Sequence, residues 1–296
     1  MSQSSNSAIR YGLILWALLA GLVPSAQAAR HHPHRVVASD PSGIVLLSST
    51  ALVIDQTTHQ VVYSKNPDPI HPIASITKLM TALVVLESAQ DLNEQITVTE
   101  ANVDTLRYTR SHLRVGVHAS RLDFLRMALI ASENRAASAL GHSYPGGISA
   151  FVTRMNVEAV RLGMTSTHFE DSSGLNGNNV STAHDLAILV QAAMQYPLIH
   201  EITTTASVSV PVGFRGRPIV FRNTNPLVAK SDWDIGLSKT GFINESGQCL
   251  VMQATISGHP MVIVLLDSRG RQARIADANR VRKWLEAHSQ VTVGQL

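Results

Sequence analysis

The chain has 296 residues, 45% hydrophobic and 15% charged, so it can bury a sizeable core and is not a disordered chain. A formal net charge of +3 without a basic stripe excludes a nucleic-acid reader. A single cysteine, Cys249, excludes an internal disulfide and a cysteine-based zinc site.

Residues 1–28 read as a secretory signal peptide. Arg10 supplies the positive start, "YGLILWALLAGLV" is an apolar run too short to span a bilayer comfortably, and Ala26-Gln27-Ala28 is a small-x-small cleavage site. Cleavage is expected rather than retention as an anchor, which places the mature protein outside the cytoplasm with no transmembrane anchor. Residues 29–40, with "HHPHR", read as a solvated linker. Cleavage after Ala28 would leave Ala29-Arg30-His31, whose amine, amides and imidazole have the donor set for square-planar copper or nickel.

Next, "ALVID" and "VVYSK" form a β-hairpin pattern. A helix is expected from about Ser75 to Ser88. Within it Ile76, Leu79, Met80, Leu83 and Leu86 recur at helical spacing. The middle of the chain reads as helical. Ser120 with Asp123 and Thr182 with Asp185 are helix starts, Gly163 is a C-cap, and the helix after Thr182 is expected to stop before Pro197. Strand patterns return at "SVSVPV" and "RPIVF". "GLSKTGFI", "QCLVMQATI" and "MVIVLLD", joined by short turn sequences, form an antiparallel meander. A last helix covers about 273–288. The expected fold is α+β. A five-stranded antiparallel sheet, hairpin plus meander, is flanked by helices, and a helical lobe of about 100–200 is inserted. The catalytic domain spans 41–288 and residues 289–296 are a tail. Cys249 lies in a strand pattern and reads as a small buried apolar residue.

One stretch of the first helix breaks the pattern. "PIASITKLMT" places Lys78 one turn after Ser75 among apolar neighbours. The chain has only five lysines against nineteen arginines, so arginine serves nearly everywhere a plain positive charge is wanted. Arginine cannot lose its proton in a protein, whereas a buried lysine can. Lys78 therefore reads either as a base for Ser75 or as a lysine reaching from a core helix to water. For the first role its pKa must fall from about 10.4 toward roughly 7–8.

Ser-x-x-Lys is a weak signal alone. Here it is followed by Ser132-Glu133-Asn134 between two helical stretches, and by Lys239-Thr240-Gly241 on a predicted strand. With these three motifs the chain resembles the serine DD-peptidases of the low-molecular-mass penicillin-binding class, kin of the serine β-lactamases. "PIASITKLMTALVVL", "ASENRAASAL", "LGMTSTHFEDSSGLN" and "KTGFINESGQCLVM" match its D-alanyl-D-alanine endopeptidase branch, and the resemblance covers about residues 45–285.

The resemblance implies a β-lactamase/DD-peptidase-like fold and hydrolysis of D-Ala-diaminopimelate cross-links in peptidoglycan through an acyl-enzyme. By it, Ser75 is the nucleophile, Lys78 its base and Ser132 a proton relay. Asn134 holds the substrate amide, Lys239 and Thr240 bind the carboxylate beside the scissile bond, and Gly241 lets the substrate lie along the strand. The N–H groups of Ser75 and Phe242 form the oxyanion hole, and Lys239 is a second cation that depresses Lys78. No cofactor and no metal are implied, and β-lactam antibiotics are expected inhibitors. Glu133 stands where glycine or aspartate is frequent and is expected to face solvent.

The alternatives are a D-Ala-D-Ala carboxypeptidase, a β-lactamase and a non-catalytic penicillin or peptidoglycan sensor. The short tail leaves no length for the β-domain and amphipathic anchor that carboxypeptidases of this class often carry. A β-lactamase needs a glutamate four residues before an asparagine, and Glu170 is followed at that spacing by Gly174. His168 and His184 are not at ligand spacing, and neither His-Glu-x-x-His nor Gly-x-Ser-x-Gly occurs.

Overall fold

A computed structural model describes residues 43–293. The signal peptide, the linker, the Ala29-Arg30-His31 start and the last three residues lie outside the described residues.

The chain opens with the hairpin β1 (Ser48–Asp55) and β2 (Val61–Lys65). After the short β3 (His71–Pro72), a 3-10 turn over Ala74–Ile76 runs into α1 (Thr77–Glu87). A ribbon of β4 (Gln95–Thr97) and β5 (His118–Ser120) precedes α2 (Arg121–Ile130), α3 (Asn134–His142) and α4 (Gly147–Leu162). Then come β6 (Val180–Ser181), which pairs with β3, and the helices α5 (Ala183–Ala193) and α6 (Pro197–Thr204). β7 (Ser207–Val210) and β8 (Ile219–Arg222) pair only with each other. The meander β9 (Asp234–Ile243), β10 (Gly247–Ile256) and β11 (His259–Ser268) leads to α7 (Ala273–Val293), which continues past the expected end at 288.

The main sheet is antiparallel, in the order β2-β1-β11-β10-β9. The N-terminal hairpin therefore docks beside the C-terminal meander, with Val53 opposite Ile263 and Lys239 opposite Val251. β10 and β11 are buried on both faces, which explains their nearly unbroken apolar runs. On one face, Leu52, Val251 and Val264 join a core with α1 and α2. On the other, Val53, Met252 and Ile263 pack with Ala278, Val281 and Leu285 of α7.

α1 is buried on every side, from Thr77 to Val85. A helix without a solvated face belongs in the core. Burying Leu79, Met80, Leu83 and Val84 contributes about 1.5–3 kcal/mol each. The expected caps are present. Ser120 Oγ accepts from the Asp123 N–H at 3.1 Å, Thr182 Oγ1 accepts from the Asp185 N–H at 3.2 Å, and Gly163 ends α4 at φ +83°. Pro197 opens a new helix, α6, at its first turn, where a missing N–H costs nothing.

Candidate active site

Ser75 sits in the 3-10 turn ahead of α1, and Lys78 occupies the first turn of α1 itself. The turn is tight. Ala74 adopts φ +47°, a left-handed conformation costing an alanine about 1–2 kcal/mol. Two glycines make room for it. A Cβ on Gly174 would stand 1.9 Å from the Ala74 carbonyl oxygen, and one on Gly241 would stand 2.7 Å from the Ile73 carbonyl oxygen. The serine-bearing turn is thus clamped between the 171–176 loop and the free edge of the sheet, β9.

The Lys78 side chain is fully buried. Its Nζ lies 2.8 Å from Ser75 Oγ, 2.8 Å from Asn134 Oδ1 and 2.5 Å from the Ser173 carbonyl oxygen. A neutral amine has two N–H bonds and one lone pair. The Ser173 carbonyl and Asn134 Oδ1 only accept, and Asn134 Nδ2 in turn donates to Thr109 Oγ1 at 3.2 Å. The lone pair is left for the Ser75 hydroxyl, which is the geometry of a base and its nucleophile.

Ser132 lies in the turn between α2 and α3, and Asn134 opens α3. Ser132 has φ +58°, and its Oγ accepts from Lys239 Nζ at 2.9 Å. Lys239 also donates to the Thr240 carbonyl at 3.0 Å. Thr240 Oγ1 donates to Thr224 Oγ1 at 2.7 Å. Gly241 follows at the point of closest approach, where its ideal Cβ would lie 3.4 Å from the Ser75 nitrogen. Phe242 is exposed at the end of the edge. The structure thus draws Ser75, Lys78, Ser132, Asn134, Lys239, Thr240 and Gly241 into one cleft between the helices and β9, with Phe242 next along the strand.

Burial pushes the Lys78 amine down to about 7, against the upward pull of the Asp171 and Glu133 carboxylates. Lys239 is also pushed well down, first by burial, then by the charges of Lys78 and Arg274. Desolvation, rather than a second cation, is therefore the main cause at Lys78. Two neighbouring buried amines disfavour double protonation, so a neutral Lys78 leaves Lys239 freer to hold its proton.

Glu133 corrects the expectation. It is 7% exposed, and it caps α3 by accepting from the Arg135 N–H at 3.2 Å. Its other oxygen lies 3.4 Å from the His112 N–H. Several supporting groups were not singled out from the sequence. Asp171 accepts from the N–H groups of Ser173, Gly174 and Asn176 at 2.5–2.6 Å, fixing the loop that supplies a carbonyl to Lys78. "DSSG" carries an Asx-turn pattern that points to such a loop. Arg274 Nη1 donates to the Gly241 carbonyl at 2.7 Å from the opposite face of the sheet, and no local pattern signals it. Glu170 is exposed and pairs with His168 at 2.7 Å, and His184 pairs loosely with Asp68. Cys249 is buried, and burial raises its thiol to about 11. No cluster of metal-ligating side chains occurs among the described residues.

The chain is similar to known proteins of one family. The chain is 48% identical over 247 residues to a D-alanyl-D-alanine endopeptidase of Pseudomonas aeruginosa, covering 83% of this chain and 79% of the relative. It is 41% identical over 277 residues to the Escherichia coli protein of the same description, covering 94% and 88%. The crystal structure of a D-alanyl-D-alanine carboxypeptidase from Mycobacterium tuberculosis superposes with a TM-score of 0.75 at 29% identity, covering 85% of this chain and 95% of that one. A Streptomyces DD-transpeptidase gives 0.74 at 28%, covering 81% and 97%. The family profile described as D-alanyl-D-alanine carboxypeptidase matches residues 36–270, and the chain belongs to that family, the S11 serine peptidases.

Proposed function

We propose that this protein is a serine D-alanyl-D-alanine endopeptidase that cleaves D-Ala-diaminopimelate cross-links of peptidoglycan. The observation that carries the reading is the buried Lys78 amine 2.8 Å from Ser75 Oγ, with its two other neighbours both acceptors. Lys78 takes the hydroxyl proton as Ser75 Oγ attacks the D-Ala carbonyl carbon. The Ser75 and Phe242 N–H groups hold the resulting oxyanion. Ser132 passes a proton to the departing amine, the C–N bond breaks and an acyl-Ser75 remains for water to hydrolyse. Asn134 orients the acyl-side amide. Lys239 and Thr240 receive the carboxylate next to the scissile bond. A β-lactam presents the same carbonyl and carboxylate. With Glu133 tied to the Arg135 N–H and Glu170 to His168, neither is free to serve as a deacylating base, so the acyl-enzyme persists and the β-lactam inhibits. The signal peptide pattern supports a periplasmic site of action.

A carboxypeptidase acting on terminal D-Ala-D-Ala is the second reading. It is favoured by the family's own description and by a Mycobacterium tuberculosis relative of that name, 33% identical over 228 residues. Incubation of the purified protein with cross-linked muropeptides and with free pentapeptide, followed by product masses, separates the two. The endopeptidase reading expects monomers from dimers. Release of terminal D-alanine alone contradicts it.

A further inference from the structure

The edge of β9 does not end at the catalytic groups. A cavity of about 970 Å³ continues from it, at the upper end of the roughly 300–1,000 Å³ usual for ligand pockets. Three of its walls belong to the site described above. Thr224 bonds Thr240, Phe242 follows Gly241 on the edge strand, and Arg274 holds the Gly241 carbonyl. The far wall is the segment between β11 and α7, with Arg269 and Arg271, and Gln248 lies on the floor.

The charge of that wall is concentrated: Arg269, Arg271 and Arg274 all line the one cavity. Arg107, Arg121, Arg126, Arg154, Arg161, Arg280 and Arg282 each pair with a carboxylate. Arg269 and Arg271 are exposed and carry no ion pair among the described residues, although both border the cavity. Arg274 Nε is buried without a partner. The lining holds one carboxylate, Asp267, whose Oδ2 accepts from Ser49 Oγ at 2.7 Å, against three arginines. The cavity therefore offers a net positive lining and ample volume next to Thr224, the partner of Thr240. A single departing D-alanine fills little of such a space. A departing peptide is larger and carries carboxylates beyond the one that Lys239 and Thr240 receive, so it has the size and sign to fill it.

We propose that this cavity is the leaving-strand subsite, and that Arg269 and Arg271 bind the anionic peptide released when a cross-link is cut. The inference rests on the endopeptidase reading and names where its second substrate strand lies. Both arginines are exposed and touch none of Ser75, Lys78, Ser132 or Lys239, so their role is substrate selection.

The test is kinetic, on the full-length mature protein, comparing wild type with Arg269→Ala/Arg271→Ala and with Arg269→Glu/Arg271→Glu. Substrates are a D-Ala-diaminopimelate cross-linked dimer and the free pentapeptide, and labelling by a fluorescent penicillin reports the acylating machinery. Expected are wild-type penicillin labelling, wild-type turnover of any pentapeptide cleaved, and kcat/KM on the dimer reduced about tenfold by the alanines and further by the glutamates. Added salt should depress dimer cleavage by wild type more than by the alanine variant, since the steering is electrostatic. Unchanged dimer cleavage in both variants overturns the subsite while leaving the endopeptidase reading intact. An equal loss on dimer, pentapeptide and penicillin also overturns it, because the arginines would then be supporting the catalytic groups. Failure of the wild type itself to cut the dimer overturns the endopeptidase reading and this inference with it.

Discussion

At the scale of single residues, the chemistry turns on which amine is neutral. Lys78 is pushed down to about 7 by burial. Its base form is the neutral one, so acylation rises as pH increases through about 7 and falls off below it. Ser132→Ala removes the hydroxyl held by Lys239 at 2.9 Å. Acylation by a fluorescent penicillin is expected to fall about 10²–10⁴-fold with little change in melting temperature. Labelling at the wild-type rate would remove Ser132 from the proton path. Seven of the eight candidate residues were legible because three short motifs occur in a fixed order, and the fold brings those seven together; Phe242 was legible only as the residue after Gly241. Glu133 was misread because a glutamate's direction depends on the local backbone. Here the chain turns through the φ +58° of Ser132 and starts a helix at once, so the carboxylate folds back onto the Arg135 N–H. Arg274 was not legible at all, since it reaches the Gly241 carbonyl from a helix 33 residues downstream.

At the scale of elements, the site is held by a turn, a loop and a helix start rather than by long regular structure. The 171–176 loop is tied to α1 by Thr81 Oγ1, which donates to the Ser172 carbonyl at 2.6 Å, and to α3 by Ser172 Oγ, which donates to the Ala137 carbonyl at 2.9 Å. Gly174→Ala drives a methyl into the Ala74 carbonyl and adds a left-handed penalty at φ +83°. A loss of about 3 kcal/mol or more is expected, with acylation lost as the Ser75 turn shifts. Wild-type stability by urea unfolding would show that the loop is not a clamp. Glu133→Ala removes a helix cap, and a destabilisation of about 1 kcal/mol with acylation reduced severalfold is expected. An unchanged acylation rate would show that the cap does not position Asn134. The helices were largely readable from their caps and periodicity. The helix after Thr182 does stop before Pro197, as expected; that Pro197 then opens α6 was not readable, because a proline marks a helix start as readily as an end.

At the scale of the whole molecule, the beginning and end of the fold are locked together. Asp277 on α7 is buried and accepts from the Leu47 and Ser48 N–H groups at 3.1 and 2.7 Å and from Ser48 Oγ at 2.6 Å. That contact fixes β1 against α7, and with β11 between β1 and β10 it stabilises the sheet whose far edge carries Lys239. Asp277→Ala leaves these buried donors unmet and is expected to cost about 3 kcal/mol, read as a lower melting temperature with penicillin labelling retained at low temperature. An unchanged melting temperature would dismiss the contact as incidental. The sheet's make-up was readable from apolar strands at both ends of the sequence, since neither set could bury its faces alone. The separate β7–β8 ribbon was not, because a short strand pattern does not say which sheet it joins.

The most direct measurement is intact-protein mass spectrometry of the purified enzyme with penicillin, from pH 5 to 9, for wild type and Lys78→Arg, with the adduct mapped by peptide digestion. One covalent adduct on Ser75 is expected, formed at a rate that climbs through about pH 7, and Lys78→Arg should remain unmodified because a guanidinium keeps its proton. An adduct elsewhere, or Lys78→Arg acylated at the wild-type rate, would contradict a neutral Lys78 as the base for Ser75.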